Sequence, residues 1–492
     1  MKKILTIIIS TVALWAISTF IISNQTENEL ENYVNKSNKI YNNSGLSLKL
    51  LDYNKSFLSS TALLEIDIID PEIIKILEKD FNFPLKMNYN IEHGPLFFKN
   101  GFGIGLAKIE HDILLTSIFK KEVKKDLLEL FKKDINFHSN MIVSFNKKMN
   151  YSIISDSLQF EKDSNKFLMT PIRIKGVSNL DNFQGTALLT MKNLLVNKEG
   201  TINKFEINDL ALDVNIKELL DNTLFFGDIE LSIKNLIFID EKNPKLEKIN
   251  LGFNAKIVSE KVNDTMMNNT FNGEINLENT VLPDELKNLK NLYLTMNLEN
   301  LGIQGMLELQ KSIQKMQKAQ NKLLLNMQTK SDEEMSLSLQ DFSDLQKNIL
   351  TNIISSMNTL LIKDKTNITY GLDIETRDNQ KTKIMTQVEY TGDIDFKGSI
   401  EELAKKAQAK ILTLLALNIN IDLSKEHFKL VPNANMLQPQ IDMAVMQGFV
   451  KENNSSYILN GYYKNKELIV NDNNLTSMIL PFIIMATQGQ VQ

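Results

Sequence analysis

The chain has no cysteine, and only four histidines and one tryptophan among its 492 residues. Without thiols it has no disulfide, thiolate metal site, iron–sulfur cluster, thiol nucleophile or lipidated N-terminal cysteine. A dominant sign of charge is missing as well. Fifty-five basic residues stand against 60 acidic ones, a net of −5, which gives no field to attract nucleic acid. His93, His111, His138 and His427 fall at no H-x-H or H-x-x-x-H spacing, so no local metal motif exists. Gly101–Gly105 holds three glycines but lacks the lysine of a phosphate loop and the spacing of a dinucleotide fingerprint, and reads as a bulge or loop. There is no G-x-S-x-G elbow and no S-x-x-K set with its companions. No cofactor is expected, and carboxylates are too numerous for one pair to stand out for glycoside chemistry.

What is present is an ordinary globular composition, 43% hydrophobic and 23% charged, long enough for about three domains at ~150 residues each. The N-terminus carries the most specific signal. Lys2 and Lys3 precede Ile4–Ile22, 19 uncharged residues that rise ~28 Å as a helix at ~1.5 Å each. A cleaved signal peptide has a shorter apolar region, so the expectation is an uncleaved transmembrane anchor. No lysine or arginine follows until Lys36, which places the N-terminus inside and the bulk of the chain outside the cytoplasmic membrane. The tail Leu475–Ala486, 12 residues interrupted by Pro481, is too short to cross and reads as a core or interfacial segment.

Between these ends the periodicity changes several times. Asn24–Asn43 is polar and reads as a helical or flexible stalk. Leu46–Leu50 and Leu64–Ile68 alternate as half-buried strands do. Asp70-Pro71 starts a helix, carboxylate cap before proline, and Lys121–Lys133 carries apolar residues on one helical face. From about Phe137 to Leu301 the pattern is strands separated by polar turns, each strand with one wet and one dry face. Gly305–Lys363 shows two helical stripes broken near Thr329–Glu334, a hairpin expected to pack on the sheet. Strands resume at Thr366–Glu375 and Ile384–Tyr390, a capping box at Ser399 and Glu402 opens a helix, and Leu417–Leu423 alternates again. The expected fold class is α+β, dominated by antiparallel β-sheet with helical insertions, plus one N-terminal transmembrane helix. The parts are the anchor at 1–23, a β-rich exported region at 24–301, the helical insert at 302–364 and a second β-rich region at 365–492.

Three segments together carry a resemblance: Leu50–Ser60 with Tyr53, Phe57, Ser59 and Ser60, the turn His93-Gly94-Pro95-Leu96, and Ser456–Asn471. They are similar to the YdgA-like family of bacterial envelope proteins, with Lys55 and Ser56 standing where that family usually has arginine and glycine. The resemblance implies an exported, β-rich body, single-pass topology and no established reaction. It singles out His93, Gly94, Pro95 and Leu96 as a motif, and the turn-forming character of Gly-Pro gives that motif a structural reading.

The expected function is that of a membrane-anchored envelope protein acting as a non-enzymatic binding or scaffold module, for lipid or another envelope component. A homo-oligomer is a further partner state under this reading. A hydrolase using unidentified carboxylates, or an assembly factor for a membrane complex, is the alternative. An open apolar trough would favour lipid, whereas a filled interior would favour a scaffold.

Overall fold

The computed structural model describes residues 2–478 apart from 42–44, 100, 163–164, 199–203, 241–247, 284–285, 330–331, 393, 399–401, 404–405, 407–409, 411–412 and 432. The capping-box helix at Ser399 and most of the apolar tail fall outside the described residues.

The N-terminal expectation needs correction. Among the described residues no helix is long and apolar enough to cross a membrane. The Ile4–Ile22 run lies in a helix, α1, but α1 runs from Lys2 to Tyr41 with no break where the apolar run ends. From Trp15 onward one side of it is committed to the protein. Trp15 meets Phe98 edge-on at 6.4 Å, Thr19 and Ser23 are buried, and Ser23 Oγ donates to the Ser56 carbonyl at 3.1 Å. The stretch expected as a stalk packs too: Leu30 and Val34 enter the core of the β body. The fold class is therefore α+β, mostly antiparallel sheet with helices, and the expected membrane-spanning helix is not found among the described residues.

The chain divides into two units, Met1–Lys198 with Asn208–Phe225 and Leu324–Thr329, and Glu199–Ile207 with Phe226–Leu323 and Lys330–Gln492. In the first, β1 (Leu46–Lys55) and β2 (Ser59–Ile68) lead through α2 (Pro71–Leu77) to β3 (Leu85–His93). The Asp70 carboxylate accepts from the Ile73 N–H at 3.4 Å, starting α2 as the Asp-Pro step requires. A small hairpin, β4 (Leu96–Phe97) and β5 (Gly103–Ile104), precedes β6 (Ala107–Leu114). Then come α3 (Lys121–Phe131), β7 (Asn136–Val143), β8 (Lys148–Ser155), β9 (Leu158–Lys162), β10 (Asn165–Met169), β11 (Arg173–Asn179) and β12 (Gly185–Asn197). Pairing is antiparallel throughout: β1 with β2, β2 with β3, β3 with β6, then β7, β8, β11 and β12 in turn. The β9–β10 hairpin joins β12 and is capped by α3 through Phe131, 5.8 Å from Phe160 and 5.7 Å from Phe167.

This unit's dry face is covered. Ala62, Ile91, Ala107 and Val143 form its buried centre, and Leu30 of α1 lies on them. Asn38 fastens the helix to the edge strand: its Nδ2 donates to the Leu48 carbonyl at 2.8 Å, and its Oδ1 accepts from the Leu48 N–H at 2.7 Å. One side chain thus replaces a neighbouring strand for one residue of β1, satisfying groups that an edge otherwise presents to other chains.

The long strand β13 (Lys204–Leu220) has residues in both units. The second unit is a meander in which each long strand pairs with the next: β14 (Leu224–Ile239), β15 (Lys248–Lys261), β16 (Met266–Asn276), β17 (Leu289–Gly302), β18 (Asn367–Thr376), β19 (Lys381–Tyr390) and β20 (Leu415–Ser424). Beyond β20 come the two-residue β21 (Lys451–Glu452) and β22 (Ser456–Lys464), and β22 pairs with both. Among the described residues of this unit, helices enter as insertions between paired strands. The hairpin of α4 (Ile303–Thr329) and α5 (Asp332–Leu360) links β17 to β18. Its root is tight, because a Cβ on Gly305 would lie 2.3 Å from the Leu360 nitrogen. A second insertion, Ala434–Met446, covers Phe428, Val450 and Tyr457 beside β22.

Candidate functional site

The His93-Gly94-Pro95-Leu96 turn ends β3 and starts β4. His93 is 1% exposed, and both ring nitrogens meet hydroxyls: Nε2 lies 2.7 Å from Ser60 Oγ on β2, and Nδ1 lies 3.3 Å from Thr26 Oγ1 on α1. A neutral imidazole has one donor and one acceptor nitrogen, and hydroxyls complement either tautomer. Burial pushes the His93 pKa down to about 4, and the Lys55 charge acts in the same direction. Tyr53 packs against the neighbouring apolar core, and burial raises its phenol pKa above the ordinary range, opposed by the hydroxyls of Ser60 and Thr26. Two motifs some 30 residues apart in sequence thus meet in one polar knot, with Thr26 as a third member that no sequence signal identified.

A serine hydroxyl beside an imidazole is half of a nucleophile–base arrangement. Here the far nitrogen meets Thr26 rather than a carboxylate, and Ser60 is only 3% exposed. The arrangement fastens α1 to the sheet. Gly94 serves the same end: its N–H donates to the Leu106 carbonyl at 2.8 Å, and a Cβ there would fall 1.7 Å from the Gly105 carbonyl oxygen. The Gly94–Pro95 peptide is cis, and Leu96 pairs with Ile104 in the small hairpin.

The other histidines go elsewhere. His111 and Asp112 are strand residues of β6, with the His111 ring 4.5 Å from Tyr89 and its Nδ1 donating to the Asn88 carbonyl at 2.5 Å. Burial lowers its pKa. His138 sits on the wet face with Nδ1 2.8 Å from the Asp112 carboxylate and Nε2 3.8 Å from that of Asp156. It lines an open groove of about 710 Å³ with Asn90, Glu110, Asn140, Ile142 and Ile154. His427 is buried against Thr382, Nδ1 to Oγ1 2.6 Å. Among the described residues no three of His, Asp or Glu could hold a metal ion.

A chemical asymmetry runs across the sheet of the second unit. Register places Leu231, Ala255, Gly273, Leu294, Leu372, Ile384, Ile421 and Leu459 side by side across eight strands. The row two residues along reads Ile229, Ile257, Phe271, Met296, Tyr370, Thr386, Ile419 and Gly461. On the reverse face the matching row is Glu230, Lys256, Asn272, Thr295, Gly371, Met385, Asn420 and Asn460. Period-two alternation sorts these residues onto two faces, one apolar and one polar.

Among the described residues the apolar rows are only partly covered, with thirteen of their members half-buried and three exposed. None of their sixteen members is buried, and Leu294, Tyr370 and Ile257 remain 48%, 47% and 43% exposed. At about 4.8 Å per strand the rows run about 34 Å, and with their side chains they occupy roughly 500 Å² of sheet, the size of the largest apolar patch on an ordinary monomer, which is often a functional one. In the first unit α1 lies over the equivalent face.

A family model described as a bacterial protein of unknown function matches residues 1–477. No curated protein matches the chain, and no solved structure matches it.

Proposed function

The chain belongs to the DUF945 family of bacterial proteins of unknown function, and on that premise we propose that it is a non-enzymatic module that binds lipid acyl chains on the apolar face of its second unit. The observation carrying this reading is that sixteen-residue face, two rows wide and eight strands long, with no buried member. It offers almost no hydrogen-bonding side chains: Tyr370 and Thr386 are the polar groups in those two rows. A ligand that demands nothing polar there, and that gains by leaving water, is hydrocarbon.

Within the family, we read the chain as one of the YdgA-like envelope proteins, on the words Tyr53, Ser60 and His93–Leu96. The proposed location is outside the cytoplasm, directed there by the basic and then apolar N-terminal sequence. Binding rather than catalysis is favoured because the Ser60–His93 pair is closed to substrate. Fluorescence titration of the delipidated full chain with a dansyl-labelled fatty acid tests the ligand class. Saturable binding with a blue-shifted probe supports the reading, and an unchanged probe spectrum counts against it.

A further inference from the structure

An exposed apolar rim gathers at one end of the first unit, from three separate pieces of chain. On α1 the outward face reads Leu14, Ile17, Phe20 and Ile21, then changes abruptly to Asn24, Gln25 and Asn28. Leu14 is 66% exposed and Ile21 49%. Where that change occurs, the β1–β2 turn brings up Phe57 and Leu58, both exposed, tied to α1 by the Ser23–Ser56 hydrogen bond. The β4–β5 hairpin adds Phe98, 63% exposed, and Phe102, 70% exposed. Phe98 is held against Trp15 at 6.4 Å and lies 6.1 Å from Phe102. Buried Phe97 anchors the hairpin beneath them. One helix face thus switches from apolar to polar at the level where two loops present their own apolar tips.

We infer that this rim is a docking surface for a lipid bilayer. The composition fits that partner, since phenylalanine, tryptophan and aliphatic side chains settle at the headgroup boundary. Charge fits as well: exposed Lys55 and Lys99 sit within the rim, Lys55 bonded to Asn24 at the polarity switch, where ammonium groups meet anionic headgroups. The rim lies in the first unit and the apolar sheet face in the second, so this inference stands independently of the ligand reading.

The single tryptophan, Trp15, is a built-in reporter. Vesicles of phosphatidylcholine and phosphatidylglycerol with brominated acyl chains, mixed with the full chain, should quench Trp15 emission at least twofold and carry the protein upward in flotation. Phe57→Ser with Phe102→Ser should reduce both signals at least fivefold while keeping the melting temperature within a few degrees of the parent's, because both side chains face solvent and neither touches Trp15 in a ring contact. Lys55→Glu with Lys99→Glu should weaken binding only on the anionic vesicles. An unquenched Trp15, or a serine variant that floats as well as the parent, would overturn the inference. A parent that light scattering shows as a dimer, with the serine variant monomeric, would assign the rim to a second copy instead.

Discussion

Ser60 and His93 face each other inside the sheet of the first unit, Oγ to Nε2 2.7 Å, with Thr26 of α1 on the imidazole's other nitrogen. Each of the three elements supplies one member, so the knot joins helix to sheet at a point sealed from solvent. Its energetic signature is that of a buried polar network, in which deleting one partner strands the others.

Removing the hydroxyl should therefore destabilise more than a surface substitution does. Ser60→Ala leaves a buried imidazole nitrogen unpaired, at an expected cost of about 1–3 kcal/mol. Urea unfolding of the full chain measures it. A serine-directed fluorophosphonate should leave Ser60 unlabelled in the folded protein, and labelling there would restore the catalytic reading.

Stability should fall as pH falls through the range between the ordinary histidine value and that of His93. The group is about 4 when folded against 6.5 unfolded, so the unfolded chain binds the extra proton first and gains on the folded one. The contribution is complete above pH 6.5, declines below it and levels off under about pH 4, a total near 3 kcal/mol at 1.36 kcal/mol per tenfold. His93→Gln should flatten the dependence of the urea midpoint between pH 7 and pH 4.5, and an unchanged slope would refute the assignment.

Gly94→Ala should be among the costliest single substitutions in the first unit. The new methyl would meet the Gly105 carbonyl oxygen at 1.7 Å, and neither backbone segment gives way without losing the Gly94–Leu106 hydrogen bond. A loss of about 3 kcal/mol is expected, at the top of the usual overpacking range, read as a lower denaturant midpoint.

Asn38→Leu should loosen α1 without unfolding the sheet. The amide makes both backbone-like bonds to Leu48, worth about 1–2 kcal/mol together. Hydrogen exchange should find the Leu48 amide at least tenfold faster, with the amides of β3 and β6 unaffected.

Alternation made much of the sheet legible in advance, because a residue's face is a local property. Leu292–Leu298 and Leu417–Leu423 were readable as two-faced strands from their own letters. Whether a dry face is covered is not local. Leu50 and Leu294 have the same alternating context, yet α1 lies over one and Leu294 stays exposed. Ile4–Ile22 shows the converse: hydropathy registers the apolar run but cannot register that Trp15, Thr19 and Ser23 face a folded partner. The same distance problem hid Thr26 and Asn38, whose partners lie on strands that follow them.

The lipid content of the purified full chain tests the central claim most directly. Solvent extraction and mass spectrometry should recover acyl lipid from the parent protein. Leu294→Asp with Leu372→Asp, neighbours across β17 and β18, should lower the yield at least fivefold. Thr295→Asp on the reverse face should leave it unchanged, with all three proteins sharing one melting temperature to within a few degrees. A parent protein that carries no lipid, or an aspartate pair that carries as much as the parent, would contradict the account.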